Sequence, residues 1–345
     1  LIAGLIVLAI YAHGMFRPSI RTALEAEYLF LNETDAFNPT RETGIALRFL
    51  SWILGAVLVH RMHARVSTSA AKANLETLAK VLGTCLALSS LGLIADHIFP
   101  SVRVVLGRLY GFDPGYVHWA DRAYGFFASP VEAGAALVFG ALLLVIANRG
   151  AHALSKPWLA ATLLLTATGL LLTKALTPFL GLVVAAGIVC LARLSAQKLK
   201  KLALIAVPAA VAGVAALSLT FEGQMKLINL ARRIGPWRIY VSEAFSRADT
   251  ALIGFGFAPY HTDNFFLFLF TRGGLLTLGV FLLAIAAYAR RNTPRWSEAQ
   301  NLILVYLFVT GLTTDALIFR HVVFLLIAVG IPLLASAHEA AVAAP

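Results

Sequence analysis

The chain has 345 residues, of which 59% are hydrophobic and only 13% are charged, and its mean hydropathy is +0.82. A soluble domain is typically about half apolar and about a quarter charged, so this composition excludes an ordinary water-soluble protein. The net charge of +11 does not indicate nucleic-acid binding in so apolar a chain. Cys85 and Cys190 both lie in apolar segments, so no disulfide framework is indicated.

Apolar runs of membrane-spanning length follow one another along the chain. A membrane-crossing helix needs about 20 apolar residues. The candidate spans are 1–13, 43–60, 77–98, 130–147, 157–173, 177–194, 202–220, 263–289, 299–314 and 319–337. We therefore predict an all-α polytopic membrane protein with about ten transmembrane helices in a single domain, 1–345. The first run is too short to span alone, and we expect the natural chain to start earlier.

The loops between these spans differ in charge. The short loops that contain Lys and Arg but no Asp or Glu are 60–72, 148–156, 193–201 and 290–296. Lys and Arg are enriched in cytoplasmic loops, so these loops are predicted to be cytoplasmic. The longer segments 14–42, 99–129 and 221–262 then lie on the outer side of the membrane. Of these, 221–262 is a large outer loop.

Three arginines of the outer loop, Arg232, Arg233 and Arg238, form a cationic group. Arginine is suited to paired contacts with phosphate oxygens, which predicts an anion site for a lipid pyrophosphate. Contacts with ordinary lipid headgroups are the alternative. A fourth arginine, Arg247, follows Glu243 by four residues and is expected to pair with it on a helix face.

Part of the same loop has the pattern of an amphipathic helix. Pro236 is typical of a first helical position. The apolar residues that recur after it every three or four positions are Trp237, Tyr240, Val241, Ala244 and Phe245. Such a helix suits the outer membrane interface. Gly254 and Gly256, further along, are explained by a turn.

The span that follows begins with a group of polar residues, His261, Asp263 and Asn264. A helix N-cap explains one of the last two but not all three. Arg272 lies nine residues beyond Asp263, about 13 Å into the span, where snorkelling to the surface is difficult and a water-filled cavity is favoured. Lys174 and Arg320 also lie at the outer ends of spans. They either line the same water-filled vestibule or anchor their spans at the membrane interface.

Several short motifs resemble the bacterial O-antigen ligase and O-antigen polymerase superfamily over about residues 77–337. The family pattern is similar to Arg122-Ala-Tyr-Gly125 with Pro130, Arg233 with Trp237, Gly254 with Gly256, and Asp263-Asn264 with Gly274. The first residue of the polar pair is Asp here, where many ligases have His. In this respect the chain is more similar to the polymerases. The usual Ser-Arg near the sixth span is absent, and Lys174 is its candidate substitute.

The resemblance implies a metal-independent, inverting glycosyltransferase that uses no cofactor and acts at the periplasmic face of the bacterial inner membrane. It would move a glycan from undecaprenyl diphosphate to a glycan acceptor, as a polymerase. Implied partners are the lipid-linked donor, the acceptor, the bilayer and a chain-length regulator. The candidate catalytic residues are Asp263, His261 and Arg233. The candidate substrate-binding residues are Arg232, Arg238, Arg122, Asn264, Arg272, Trp237, Lys174 and Arg320. A ligase acting on lipid A core and a lipid-linked glycan transporter remain alternatives.

Overall fold

The computed structural model describes residues 50–51, 54–59, 61, 68–99, 101–105, 122–123, 125–127, 129–191, 237–254, 264–292, 298–313 and 325. The regular secondary structure of these residues is helical, and none of them forms a β-strand. The longer elements are α1 (Thr68–Ile98), α2 (Pro130–Ala151), α3 (Lys156–Thr173), α4 (Leu176–Leu191), α5 (237–246), α6 (Ala248–Ile253), α7 (Phe265–Asn292) and α8 (Glu298–Thr313).

Six predicted spans coincide with α1, α2, α3, α4, α7 and α8. In chain order, these spans start at 77, 130, 157, 177, 263 and 299. Within the described residues, the helices long and apolar enough to cross a membrane cover Ala73–Ile98, Pro130–Arg149, Lys156–Thr173 and Phe265–Leu283. Thr177–Ile188 and Asn301–Leu312 are apolar but shorter. The predicted spans 1–13 and 202–220, and most of 43–60 and 319–337, lie outside the described residues.

Local signals in the sequence account for the helix ends. Ser129 caps α2, because its side-chain oxygen accepts a hydrogen bond from the Glu132 N–H at 3.1 Å, and Pro130 fills the first turn. Ser155 caps α3 in the same way. Lys174 ends α3 in the left-handed conformation, with φ of 50°.

The described residues divide into two compact units, and the first contains residues 51–185 and 287–325. In it, Leu86 of α1 lies beside Gly140 of α2, while Gly83 lies beside Leu144, so α1 and α2 are antiparallel. Gly169 of α3 lies beside Ser90. The C-terminal ends of α1 and α3 therefore meet the N-terminal end of α2 at one end of the unit, which we call the polar end.

Buried apolar side chains from α1, α2, α4 and α8 form the core of this first unit. Tyr306 of α8 is buried and its ring stacks on Phe139 of α2, with 6.4 Å between the ring centroids. Small residues let helices approach closely in membranes, where lipid supplies no hydrophobic driving force between them. Gly140 and Gly169 have this role, since each meets a neighbouring helix at its Cα.

The second unit contains α5, α6 and most of α7. Tyr240 and Ala244 of α5 are fully buried, and they pack against Leu267 and Phe270 of α7. The predicted amphipathic helix therefore exists, but two of its predicted apolar residues face another helix. Of the others, Phe245 remains 58% exposed.

Candidate functional site

Arg122 and Lys174, both predicted to bind substrate, meet at the polar end of the first unit. The Arg122 guanidinium donates from Nε to the Thr173 carbonyl at 2.9 Å and from Nη2 to the Lys174 carbonyl at 3.3 Å. These carbonyls belong to the C-terminal end of α3, where the helix dipole is negative. Arg122 is thus held at a helix end by backbone contacts, and the Lys174 side chain beside it is exposed.

A buried ion pair that the sequence analysis missed supports Arg122 from the other side. Asp96, in the last turn of α1, accepts a hydrogen bond from Arg103 Nε at 2.9 Å, and its side chain is only 1% exposed. Arg103 Nη2 donates to the Arg122 carbonyl at 3.0 Å. The second Asp96 oxygen accepts from the Gly125 N–H at 3.1 Å. An acidic residue near the end of an apolar run was the signal available in the sequence.

In the second unit, α5 carries two of the predicted site residues, Trp237 and Arg238. Trp237 is half-buried at the first described position of the helix, and the Arg238 side chain is exposed. Tyr240 anchors the helix on α7, so Trp237 and Arg238 are presented from a fixed surface. Pro236, the predicted first residue of this helix, lies outside the described residues.

The mouth of α7 shows which polar residue caps the helix. Asn264 Oδ1 accepts a hydrogen bond from the Leu267 N–H at 2.9 Å, and the Asn264 carbonyl accepts from the Phe268 N–H at 2.9 Å. Asn264 is therefore the N-cap. Helix capping therefore explains Asn264 within the predicted polar group of His261, Asp263 and Asn264.

Arg272 lies two turns into α7 and is buried, with 8% of its surface exposed. Its Cζ atom lies 4.6 Å from the centroid of the Phe268 ring. A guanidinium over an aromatic face is attracted by the ring quadrupole, by about 2 kcal/mol when the pair is desolvated. Arg272 is thus held inside the unit, in agreement with the expectation that it does not snorkel to the surface; the water-filled cavity stays a prediction.

Immediately after Arg272, α7 is broken at Gly274, whose φ of 66° and ψ of −167° are not helical. The end of α6 fills the break. A Cβ atom on Gly274 would collide with the Leu252 carbonyl, and one on Gly254 would lie 2.6 Å from the Arg272 carbonyl carbon. The predicted span is therefore two helical pieces, and Gly254 is needed for close backbone approach as well as for a turn.

The predicted pairing of Arg247 is wrong. The helix α5 ends at Ser246, so Arg247 does not continue the face that carries Glu243. Arg247 instead makes a paired contact with Asp249, with Nε to Oδ1 at 3.1 Å and Nη2 to Oδ2 at 3.0 Å. The Arg247 side chain is 70% exposed.

Replacing Arg247 with alanine is expected to have a small effect. An exposed ion pair contributes about 0–1 kcal/mol, because both charges are well solvated when apart. We expect Arg247→Ala to lower the free energy of unfolding by less than about 1 kcal/mol. Thermal unfolding in detergent, compared with Arg238→Ala as a second exposed arginine, measures this. A loss of several kcal/mol would contradict a peripheral role.

The remaining predicted site residues lie outside the described residues: Arg232, Arg233, His261, Asp263 and Arg320. Of the described site residues, two belong to the first unit and four to the second. Arg122 and Lys174 are in contact in the first unit, and Trp237, Arg238, Asn264 and Arg272 lie on α5 and α7 in the second.

Comparison of the chain with protein-family models, with curated proteins and with solved structures gives no match.

Proposed function

We propose that this protein is a membrane glycosyltransferase that moves a glycan from undecaprenyl diphosphate to a sugar hydroxyl, as an O-antigen or exopolysaccharide polymerase. In this proposal it crosses the bacterial inner membrane about ten times and acts at the periplasmic face. The observation that carries the proposal is the polar end of the first unit, where Arg122 and Lys174 adjoin at the end of apolar helices of membrane-crossing length. A guanidinium held in place at the end of such helices, with an exposed lysine next to it in the fold, suits a lipid-linked anion.

The sidedness of the helices supports placing this site at the periplasmic face of the membrane. Arg122 belongs to the outer segment 99–129 in the predicted topology. Arg149 and Lys156 lie in a predicted cytoplasmic loop, and they are at the opposite ends of α2 and α3. The antiparallel helices therefore place the basic loop and the polar end at opposite ends of the unit. This agrees with the rule that loops rich in Lys and Arg are cytoplasmic.

The chemistry requires a nucleophile, a base and a stabilised leaving group. The acceptor hydroxyl attacks the anomeric carbon from the face opposite the diphosphate, and a new glycosidic C–O bond forms as the bond to the diphosphate breaks. The hydroxyl proton passes to a base, for which Asp263 and His261 are the candidates. Negative charge grows on the departing undecaprenyl diphosphate, and arginine counter-charges stabilise it. The diphosphate linkage stores the driving force.

The proposal is tested with purified protein and a lipid-linked oligosaccharide, in the presence of a chelator and without ATP. The expected products are a lengthened glycan and undecaprenyl diphosphate without its glycan. Adding lipid A core as the acceptor tests the ligase alternative. Absence of transfer to either acceptor would contradict the proposal.

Arg233 is expected to be essential for this reaction. Arg233→Ala should abolish transfer while the protein still inserts and purifies, because the departing diphosphate would lack a fixed counter-charge. Arg233→Lys should restore little activity, since an ammonium group cannot make the paired contact of a guanidinium. Initial rates of the three proteins decide this, with Arg247→Ala as the control that retains activity. An active Arg233→Ala protein together with an inactive Arg247→Ala protein would contradict the assignment.

A transporter of lipid-linked glycans is the second candidate, and one observation favours it. Transporters bind their substrates at breaks in membrane helices. The break at Gly274 follows a buried Arg272, which is such an arrangement. Movement of a fluorescent lipid-linked oligosaccharide between the leaflets of proteoliposomes, without transfer of its glycan, would select this candidate instead.

A further inference from the structure

At the polar end of the first unit, one buried carboxylate connects two elements. Asp96 accepts from Arg103 Nε with one oxygen and from the Gly125 N–H with the other, at 2.9 and 3.1 Å. Arg103 in turn donates to the Arg122 carbonyl at 3.0 Å. Because the Asp96 side chain is 1% exposed, these contacts are made out of water, where they are strong and geometrically demanding.

The segment around Arg122 also depends on close packing. Gly125 has φ of 51°, and a Cβ atom there would lie 3.2 Å from the Leu93 backbone nitrogen. The Ala123 N–H donates to the Leu172 carbonyl at 3.1 Å. The segment is therefore fixed between the ends of α1 and α3, and Asp96 is the charged group at its centre.

We infer that Asp96 and Arg103 are positioning residues for Arg122, holding its guanidinium where it and Lys174 meet the diphosphate of the lipid-linked donor. This inference rests on the proposed function. The charged groups that the structure describes at the polar end include three cations, Arg103, Arg122 and Lys174, and two carboxylates, Asp96 and the buried Glu132 in the first turn of α2. The cations outnumber the carboxylates, which suits an anionic diphosphate, but an anion needs the cations in fixed places to make paired contacts.

The direction in which Asp96→Asn changes the affinity for an anion distinguishes a positioning role from a purely electrostatic role of Asp96. Asp96→Asn removes a negative charge next to an anion site. If Asp96 acted only through its charge, the variant would bind an anion more tightly, because opposing charge has been removed. If Asp96 positions Arg103 and Arg122, the variant binds the anion more weakly despite the extra positive charge. We expect the second result, with about tenfold weaker binding.

The experiment measures the binding of farnesyl diphosphate and of farnesol to the detergent-purified protein. Farnesol has the same prenyl chain without the diphosphate, so the difference between the two affinities isolates the anion site. Asp96→Asn is expected to weaken the binding of farnesyl diphosphate and to leave farnesol unchanged. Asp96→Glu, which keeps the charge, should recover part of the affinity. Glu76→Gln is the matched control, because it removes a carboxylate from the other end of α1.

The outcomes separate the inference from the function on which it rests. Unchanged or tighter diphosphate binding by Asp96→Asn, with normal binding by the wild type, overturns the positioning role alone. Equal loss of both probes shows a folding defect and also overturns it. A wild-type protein that does not prefer farnesyl diphosphate to farnesol overturns the diphosphate site, and the proposed function and the inference fail together.

Discussion

Gly274→Ala should destabilise the protein strongly, by about 3 kcal/mol or more in the free energy of unfolding. The φ of 66° and ψ of −167° at this position lie in a region that essentially only glycine adopts, which accounts for about 1–3 kcal/mol. A methyl group would also collide with the Leu252 carbonyl, and a backbone atom cannot rotate away as a side chain can. Thermal unfolding of the purified protein in detergent measures the loss.

The same helix supplies a control for this prediction. A Cβ atom on Gly279 meets nothing within 4 Å, so Gly279→Ala should be neutral or should stabilise the protein by about 0.5–1 kcal/mol, the usual gain in a helix interior. Gly254→Ala should resemble Gly274→Ala, because it disrupts the same backbone approach from the side of α6. The double variant should lose less than the sum. Equal stability of Gly274→Ala and Gly279→Ala would show that the break in α7 is absent.

The break illustrates what could not be predicted from the apolar pattern. The sequence predicted one continuous span at 263–289, since the run from Phe265 onward is apolar apart from the short stretch 271–274 and Thr277. Glycine pairs occur inside unbroken membrane helices. The helix breaks here because the backbone at Leu252, 22 residues earlier, occupies the space beside Gly274. That tertiary contact leaves no signal in the local sequence.

Helix positions were predicted much better, and the reason is physical. A membrane-crossing helix must be about 20 apolar residues long, so the length of an apolar run is itself the prediction. The predicted spans at 130–147 and 157–173 agree within a few residues with α2 and α3. Each of these helices starts with a Ser that is followed by a Pro within two residues, Ser129-Pro130 and Ser155-Lys156-Pro157, and both serines make capping contacts in the structure.

Polar contacts were predicted less well, because their partners come from distant parts of the chain. Asp96 contacts Arg103 and Gly125, and Arg122 contacts Thr173, 51 residues away. Spacing rules along one helix predicted the wrong partner for Arg247, since the extended backbone at that residue ends the helix. Such pairings depend on how helices pack, which a single sequence does not specify.

After Arg233, the largest expected effect on activity lies at the N-terminal end of α7. The capping role of Asn264 there helps to distinguish helix capping from catalysis as the reason for the neighbouring polar residues. Asn264 is the N-cap of α7, so Asn264→Ala should cost about 1 kcal/mol of stability. Since that position is occupied, capping no longer explains Asp263 or His261. Asp263→Asn keeps the size of the side chain and removes its ability to take a proton. If Asp263 is the base, transfer should fall by about 10²-fold or more, with unchanged thermal unfolding.

His261→Ala completes the test, because an imidazole two residues away could serve as the base in place of the carboxylate. A large loss for Asp263→Asn with little for His261→Ala identifies the carboxylate as the base, as in the polymerase-like hypothesis. The opposite result moves the base to His261 and favours the ligase. Full activity of both variants and of the double variant would contradict general-base catalysis. Stabilisation of the departing diphosphate by arginine would then be the main catalytic contribution.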